Sequence, residues 1–343
     1  MDDSTKSACY STSILNTCSK AGILIRSFFP LPPTIQRKLN LFWALSRTPH
    51  GLIDMTTPAM AALLCLGHFP PFSVILIGIV TAFAGYTAVY AVNDLTDYHS
   101  DRKKAAAGGF DDSENYLDGV MIRHPLAKGA LSYSAGLAWA LGWALVAMAG
   151  AYILNPVCLW IFLAGCLLEI IYCLLGNVSP LRALVNGAVK TCGPLAAIYA
   201  VNPDPPRVFL ICLFLWIFFW EIGGQNIPAD WTDIKEDRRF NAKTIPTSLG
   251  LQRAGLLSLG CLVIATFLAL AVFWASPLTF GPVYLFAALG INVYLLLLPA
   301  LKLAETRKRE MAMALFNRAS YFPLAFFILV LVRMVHLAFF PTV

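Results

Sequence analysis

Long apolar runs separated by short polar breaks dominate the chain. A helix needs about 20 mostly apolar residues to cross the hydrocarbon core of a bilayer. Runs of about that length occupy residues 42–66, 71–93, 130–153, 156–176, 181–202, 206–229, 251–275, 279–301 and 317–340. The breaks between them hold residues that interrupt helices: Gly67 to Pro71, Asn155-Pro156, Asn202 to Pro206 and Ser276-Pro277. The pattern predicts an all-α, polytopic membrane protein with nine transmembrane helices over residues 42–343, preceded by an N-terminal segment, residues 1–41. No linker or low-complexity stretch marks a second domain.

Composition agrees with the pattern. Apolar residues make up 58% of the chain and charged residues only 13%, against about 25% charged in a soluble domain. A soluble fold has nowhere to hide that much apolar surface, so the lipid bilayer is the expected environment and no nucleic-acid partner is expected. The 9 cysteines lie mostly inside apolar runs without zinc-finger or redox spacing, and read as small core residues. The first 40 residues do not resemble a secretory signal, and Asp2 and Asp3 argue against a transit peptide. They read as a cytoplasmic tail or a surface helix.

Charge gives an orientation. With nine spans, all but three of the 25 Lys and Arg residues fall on the side of the N-terminus. Arg207 lies opposite, and Lys190 and Arg333 lie within spans. Basic residues collect on the cytoplasmic side, so the N-terminus is expected in the cytoplasm and the C-terminus across the membrane.

Against this apolar background, acidic residues form two copies of one pattern, D-x-x-D-x-x-x-D. The first is Asp94, Asp97 and Asp101, with Asn93 beside it; the second is Asp230, Asp233 and Asp237, with Asn226 one turn earlier. Spacings of three and four put these side chains on one helical face. Stacked like charges repel unless a cation lies between them, and a hard divalent ion with oxygen ligands is the natural partner. Two such clusters on the same side could hold metal ions that grip a diphosphate. The plainer alternative is a pair of acidic loops capping helix ends; the repetition of one spacing on one side argues against it. Lys190, about two turns into an apolar span, is a functional candidate by position, with snorkelling to the interface as its alternative. Asp54, Glu169 and Glu221 are further carboxylates in or near spans. Each could orient an acceptor, pair with Arg47 or Lys190, or take a proton.

From about residue 42 to 340 the chain resembles the UbiA superfamily of intramembrane prenyltransferases. NDLTDYHSD (93–101) matches that family's first motif, DWTDIKED (230–237) its second, and KTIPTSLG (243–250) the segment that follows. HPLAKG (124–129) is similar to its R-P-L-x-x-G element, with Arg123 displaced by one residue. The resemblance implies a UbiA-type bundle with a central cavity open to the cytoplasmic side. It also implies Mg²⁺ bridging an isoprenyl diphosphate to Asn93, Asp97, Asp101, Asp230, Asp233 and Asp237, with Asp94 and Asn226 as further candidate ligands. Candidate diphosphate partners are Asn93, Arg47, Arg102, Arg123, Arg182, Lys190 and Lys243. The residues expected to carry catalysis are Asp97, Asp101, Asp233, Asp237 and Lys190.

The resemblance further implies that the diphosphate, neutralised by metal and cationic side chains, would depart and leave an allylic cation. Transfer of that cation to a lipophilic acceptor, aromatic or glyceryl, is the leading expectation. Intramolecular capture, as in the terpene cyclases of the superfamily, is the alternative. A transporter whose clusters bind ions fits less well, because its acidic residues belong near the midplane. Two departures from the family count against a benzoate-type acceptor. The Y-P-x-x-K-R-x-T-x-x-P-Q element is missing between the fourth and fifth spans, and the loop from Arg102 to Ile122, with Gly108-Gly109 and Asp111-Asp112, is long.

Overall fold

A computed structural model describes residues 33–108 and 121–339, so the basic residues before position 33 and Gly109, Asp111 and Asp112 lie outside the described residues. Among the described residues the chain is helical, without strands. It divides into two units, residues 1–41 and 42–343, and the site belongs to the second.

Eight helical stretches are long and apolar enough to cross a membrane: α4 (Phe72–Thr96), α6 (Tyr133–Leu154), α7 (Pro156–Leu174), α8 (Arg182–Val201), α9–α10 (Arg207–Thr232), α13 (Leu251–Ala275), α14–α15 (Pro282–Thr306) and α16–α17 (Arg309–Phe339). The protein is an integral, multi-pass membrane protein. Large apolar side chains on the outer faces stay exposed, Trp274 at 84% and Val283 at 77% among them, as a surface that meets lipid tails requires.

The first expected span, 42–66, is not one helix. It consists of the end of α1 (Pro33–Leu45), α2 (Thr48–Asp54) and α3 (Thr56–Leu66). Arg47 takes a left-handed conformation (φ 44°) and Pro49 opens α2. A proline cannot continue a preceding helix, because its ring clashes with the carbonyl four residues back. Pro58 repeats the interruption one element later. These breaks let Arg47, His50 and Asp54 approach the interior from one segment.

The interior is built on close approach. Ala84, Ala88 and Ala91 on α4 are fully buried, and Ala140 and Ala147 on α6 nearly so. A Cβ at Gly150 would overlap the Thr81 side chain. Small residues at helix contacts replace the hydrophobic drive that lipid tails cancel.

α9 (Arg207–Trp220) passes through a π-turn, Glu221–Asn226, into α10 (Ile227–Thr232). Gly223 allows that turn to lie against α13: a Cβ there would sit 2.7 Å from the Ser258 carbonyl. Ser258 Oγ donates to the Gly223 carbonyl at 2.6 Å, one of the backbone groups loosened by the wider turn.

Candidate active site

The two acidic clusters come from different ends of the sequence and are built alike. In the first, α4 ends at Thr96 and α5 (Tyr98–Ala106) begins after Asp97, the junction residue (φ −83°, ψ −1°). In the second, Asp233 (φ −98°, ψ 9°) joins α10 to α11 (Ile234–Arg239). Backbone bonds bridge both junctions, Asp101 N to Asp97 O at 2.8 Å and Asp237 N to Asp233 O at 2.9 Å. The three-four spacing therefore keeps its acidic face through each bend.

Both faces line one cavity of about 650 Å³. Asn93, Asp97 and Asp101 come from one side, and Asn226, Asp230, Asp233 and Asp237 from the other. Arg47, Arg123, Arg182 and Lys190 reach the same cavity. Below the acidic rim its walls are largely apolar, including Val74, Ile75, Ala82, Ala196 and Leu331.

Cations hold the rim together. Arg182 Nη2 donates to Asp230 Oδ1 at 2.6 Å, with its guanidinium 5.0 Å from the Tyr172 ring centroid. Arg123 Nη2 stands 3.7 Å from Asp233 Oδ2. Lys104 Nζ is 4.0 Å from Asp101 Oδ1. Asn93 is fixed from both ends: its Oδ1 accepts from Arg47 at 3.3 Å and its Nδ2 donates to Glu169 Oε1 at 2.5 Å.

Three expected site residues lie elsewhere. Asp94 does not line the cavity; it is 4% exposed and pairs at 3.4 Å with both Arg47 and His124. Its side chain serves the frame behind the wall. Arg102 turns outward, donating to the Tyr98 hydroxyl at 3.1 Å, while Lys104, two residues on, faces the cavity. Lys243 is exposed and off the cavity; its backbone N–H ties the segment to the Gly176 carbonyl at 2.9 Å. Lys190 does line the cavity, and it is bound to Asp54 at 2.7 Å.

His124 enters unannounced by the sequence. In a left-handed conformation (φ 49°), it opens the HPLAKG turn and sets Nδ1 2.9 Å from Asp101 Oδ2. Burial alone would lower its pKa, but Asp94, with Asp101, raises it to about 9, so it is a cation at neutral pH.

The rim suits a divalent cation. Burial, reinforced by Asp101, pushes the Asp97 carboxyl upward. Burial and the nearby Asp230 raise Asp237 to about 7. Carboxyls raised in this way mark a place short of positive charge. Asn226 Oδ1, Asp230 Oδ2 and Glu236 Oε1 are buried without a hydrogen-bond partner. Among the described residues no three His, Cys, Asp or Glu side chains converge on one point. What suits Mg²⁺ is the row of open carboxylate and amide oxygens on the cavity, because that ion keeps waters and takes one or two carboxylates together with substrate phosphates.

The model of the UbiA prenyltransferase family matches residues 55–331. The chain belongs to that family. As a UbiA prenyltransferase it is 25% identical over 215 residues to the digeranylgeranylglyceryl phosphate synthase of Thermococcus sibiricus, covering 63% of this chain and 70% of the relative. The synthase of the same name from Methanoregula boonei is 25% identical over 173 residues, 50% of this chain, and the match spans 60% of that relative's length. Among solved structures, the apo UbiA homolog from Aeropyrum pernix K1 superposes with a TM-score of 0.64 at 18% identity, over 83% of this chain and 98% of that one. A UbiA homolog from Archaeoglobus fulgidus bound to DMAPP and Mg²⁺ gives 0.62 at 14% identity, over 86% and 99%. These likenesses establish the UbiA fold for the chain, and the family makes it a prenyltransferase.

Proposed function

We propose that this UbiA prenyltransferase is Mg²⁺-dependent, ionises an isoprenyl diphosphate and passes the allylic cation to a lipophilic acceptor, releasing diphosphate. One observation carries the reading: two acidic faces and their cations line the same rim of a cavity whose deeper walls are apolar. The UbiA homolog from Archaeoglobus fulgidus, bound to DMAPP and Mg²⁺ and to GPP and Mg²⁺, supports it from outside.

Asp97, Asp101, Asp230, Asp233 and Asp237, with Asn226, would hold the metal. When bound, Mg²⁺ supplies the positive charge that makes diphosphate a better leaving group. Arg182, Arg123 and Lys104 are placed to orient the diphosphate oxygens. Asn93, held by Arg47 and Glu169, keeps the first cluster in register. The prenyl chain lies along the apolar walls, which keep water from the cation until the acceptor captures it. The crowding of Lys and Arg near this rim supports its orientation toward the cytoplasm, where soluble diphosphates and Mg²⁺ are available.

Membranes holding the protein are incubated with geranylgeranyl diphosphate and Mg²⁺, with and without an acceptor (a phenolic lipid or a glyceryl phosphate ether lipid). Transfer predicts product only when an acceptor is supplied. A cyclic hydrocarbon from the donor alone assigns the terpene-cyclase alternative. No Mg²⁺-dependent consumption of the donor overturns both.

A further inference from the structure

Below the acidic rim, the cavity wall turns polar again at one level. Asp54, Tyr90, Asn186, Lys190 and Glu221 line it there. Glu221 precedes Asp230 by nine residues, through the π-turn Glu221–Asn226, and Tyr90 precedes Asp97 by seven, about 10 Å of α-helix. A diphosphate and its cation gripped at the rim would occupy that interval and bring the first carbon of the prenyl chain toward this polar level.

The carboxylates here do not share one state. Asp54 Oδ2 accepts from the Tyr90 hydroxyl at 2.5 Å and from Lys190 Nζ at 2.7 Å. Glu169, nearer the rim, is held by Asn93. Glu221 is different. Its Oε1 accepts from Asn186 Nδ2 at 3.0 Å, while Oε2 has no hydrogen-bond partner in a residue that is 5% exposed. Lys190 Nζ stands 3.8 Å from that bare oxygen, already bonded to Asp54. The Tyr86 hydroxyl, on the same cavity, is also without a partner. A buried polar atom left without a partner is costly; the Glu221 oxygen lacks a donor and the Tyr86 hydroxyl an acceptor, and a ligand hydroxyl meets both needs.

We propose that Glu221 Oε2 is the proton acceptor for a hydroxyl-bearing lipid, and that Asn186 and Lys190 fix its position. The assignment rests on the transferase reading above. The allylic C–O bond breaks and its electron pair leaves with the diphosphate. A lone pair of the acceptor hydroxyl forms the new C–O bond, and the hydroxyl proton passes to Glu221 Oε2. Tyr86 is placed to hydrogen-bond the same acceptor oxygen. Asp54 and Tyr90 act through Lys190 as positioning residues.

Glu221→Gln keeps the side-chain volume and the bond from Asn186. It is tested with geranylgeranyl diphosphate, Mg²⁺ and a glyceryl phosphate ether lipid carrying a free hydroxyl. Three quantities are read: ether product, Mg²⁺-dependent binding of labelled donor, and positional oxygen exchange within the donor diphosphate, which reports ionisation alone. The assignment predicts donor binding within twofold of wild type, persisting exchange, and a product rate lower by about 10² to 10⁴. It also predicts that acetate added to Glu221→Ala recovers product. Product within fivefold of wild type in Glu221→Gln overturns it. So does a loss of donor binding parallel to the loss of product, which would make Glu221 structural. A wild type that exchanges oxygen yet makes no ether from the hydroxylated lipid overturns the acceptor class. Failure of the transferase reading looks different: wild type then turns the donor alone into a cyclic hydrocarbon, or binds no donor with Mg²⁺.

Discussion

The first acidic cluster and the second carry one spacing and meet different partners. Asp94 of the first is buried against Arg47 and His124, and Asp101 is held by His124 at 2.9 Å. In the second, Asp230 gives one oxygen to Arg182 and leaves the other bare, and the Asp233 side chain is 38% exposed toward Arg123. A repeated motif thus yields a framed half and an open half. In the framed half Asp94 and Asp101 are largely neutralised by the protein itself, whereas Asp97 and the open half turn their carboxyls to the cavity. Like-charged carboxyls in one copy can become structural while their counterparts stay available to a cation.

Substitutions rank this contrast. Asp233→Ala should have the largest effect, a loss of turnover of at least about 10³-fold, or ~4 kcal/mol of barrier, with the protein still in the membrane. Near-normal activity would remove the metal role from the open half. Arg182→Ala should follow with about 10²-fold, because it strips Asp230 of its partner and the diphosphate of a donor; the sharper signature is a raised apparent KM for the prenyl donor. Asp94→Asn should act chiefly on the frame. A buried, paired group of this kind is worth about 1–3 kcal/mol, so thermal unfolding in detergent should shift downward while the Mg²⁺ requirement stays that of wild type. A changed Mg²⁺ requirement would return Asp94 to the ligands. Arg102→Ala should be the smallest, within twofold in turnover, since its guanidinium faces Tyr98 and not the cavity.

The fold and the rim were legible for a simple reason. Span positions follow from uninterrupted hydropathy, and α13 begins and ends where its apolar run does. The two clusters follow from a local period of three and four, which survives the bends at Asp97 and Asp233. What stayed hidden depends on distance in sequence. Lys190 meets Asp54 across 136 positions; the sequence offers that pairing as one alternative, and no local rule chooses Asp54 over Glu169 or Glu221. Lys104 rather than Arg102 reaches the cavity because it stands three residues after Asp101, on the acidic face, whereas Arg102, one residue on, points about 100° away. His124 needed a left-handed backbone that proline at 125 does not announce. The break in the first span, by contrast, was written in Thr48-Pro49 and Pro58, and hydropathy alone passes over it. Glu221 was visible as a carboxylate in a span; the bare oxygen that sets it apart from Glu169 and Asp54 emerges only from their partners.

The central claim is that both acidic faces grip the same cation–diphosphate assembly. Its most direct measurement is electron paramagnetic resonance of Mn²⁺ bound to the purified protein, with a non-ionisable geranylgeranyl diphosphate analogue present. The account predicts tight Mn²⁺ binding in wild type that is lost alike in Asp97→Ala and in Asp233→Ala. Undiminished, analogue-dependent Mn²⁺ binding in either variant would contradict it, because one cluster would then suffice.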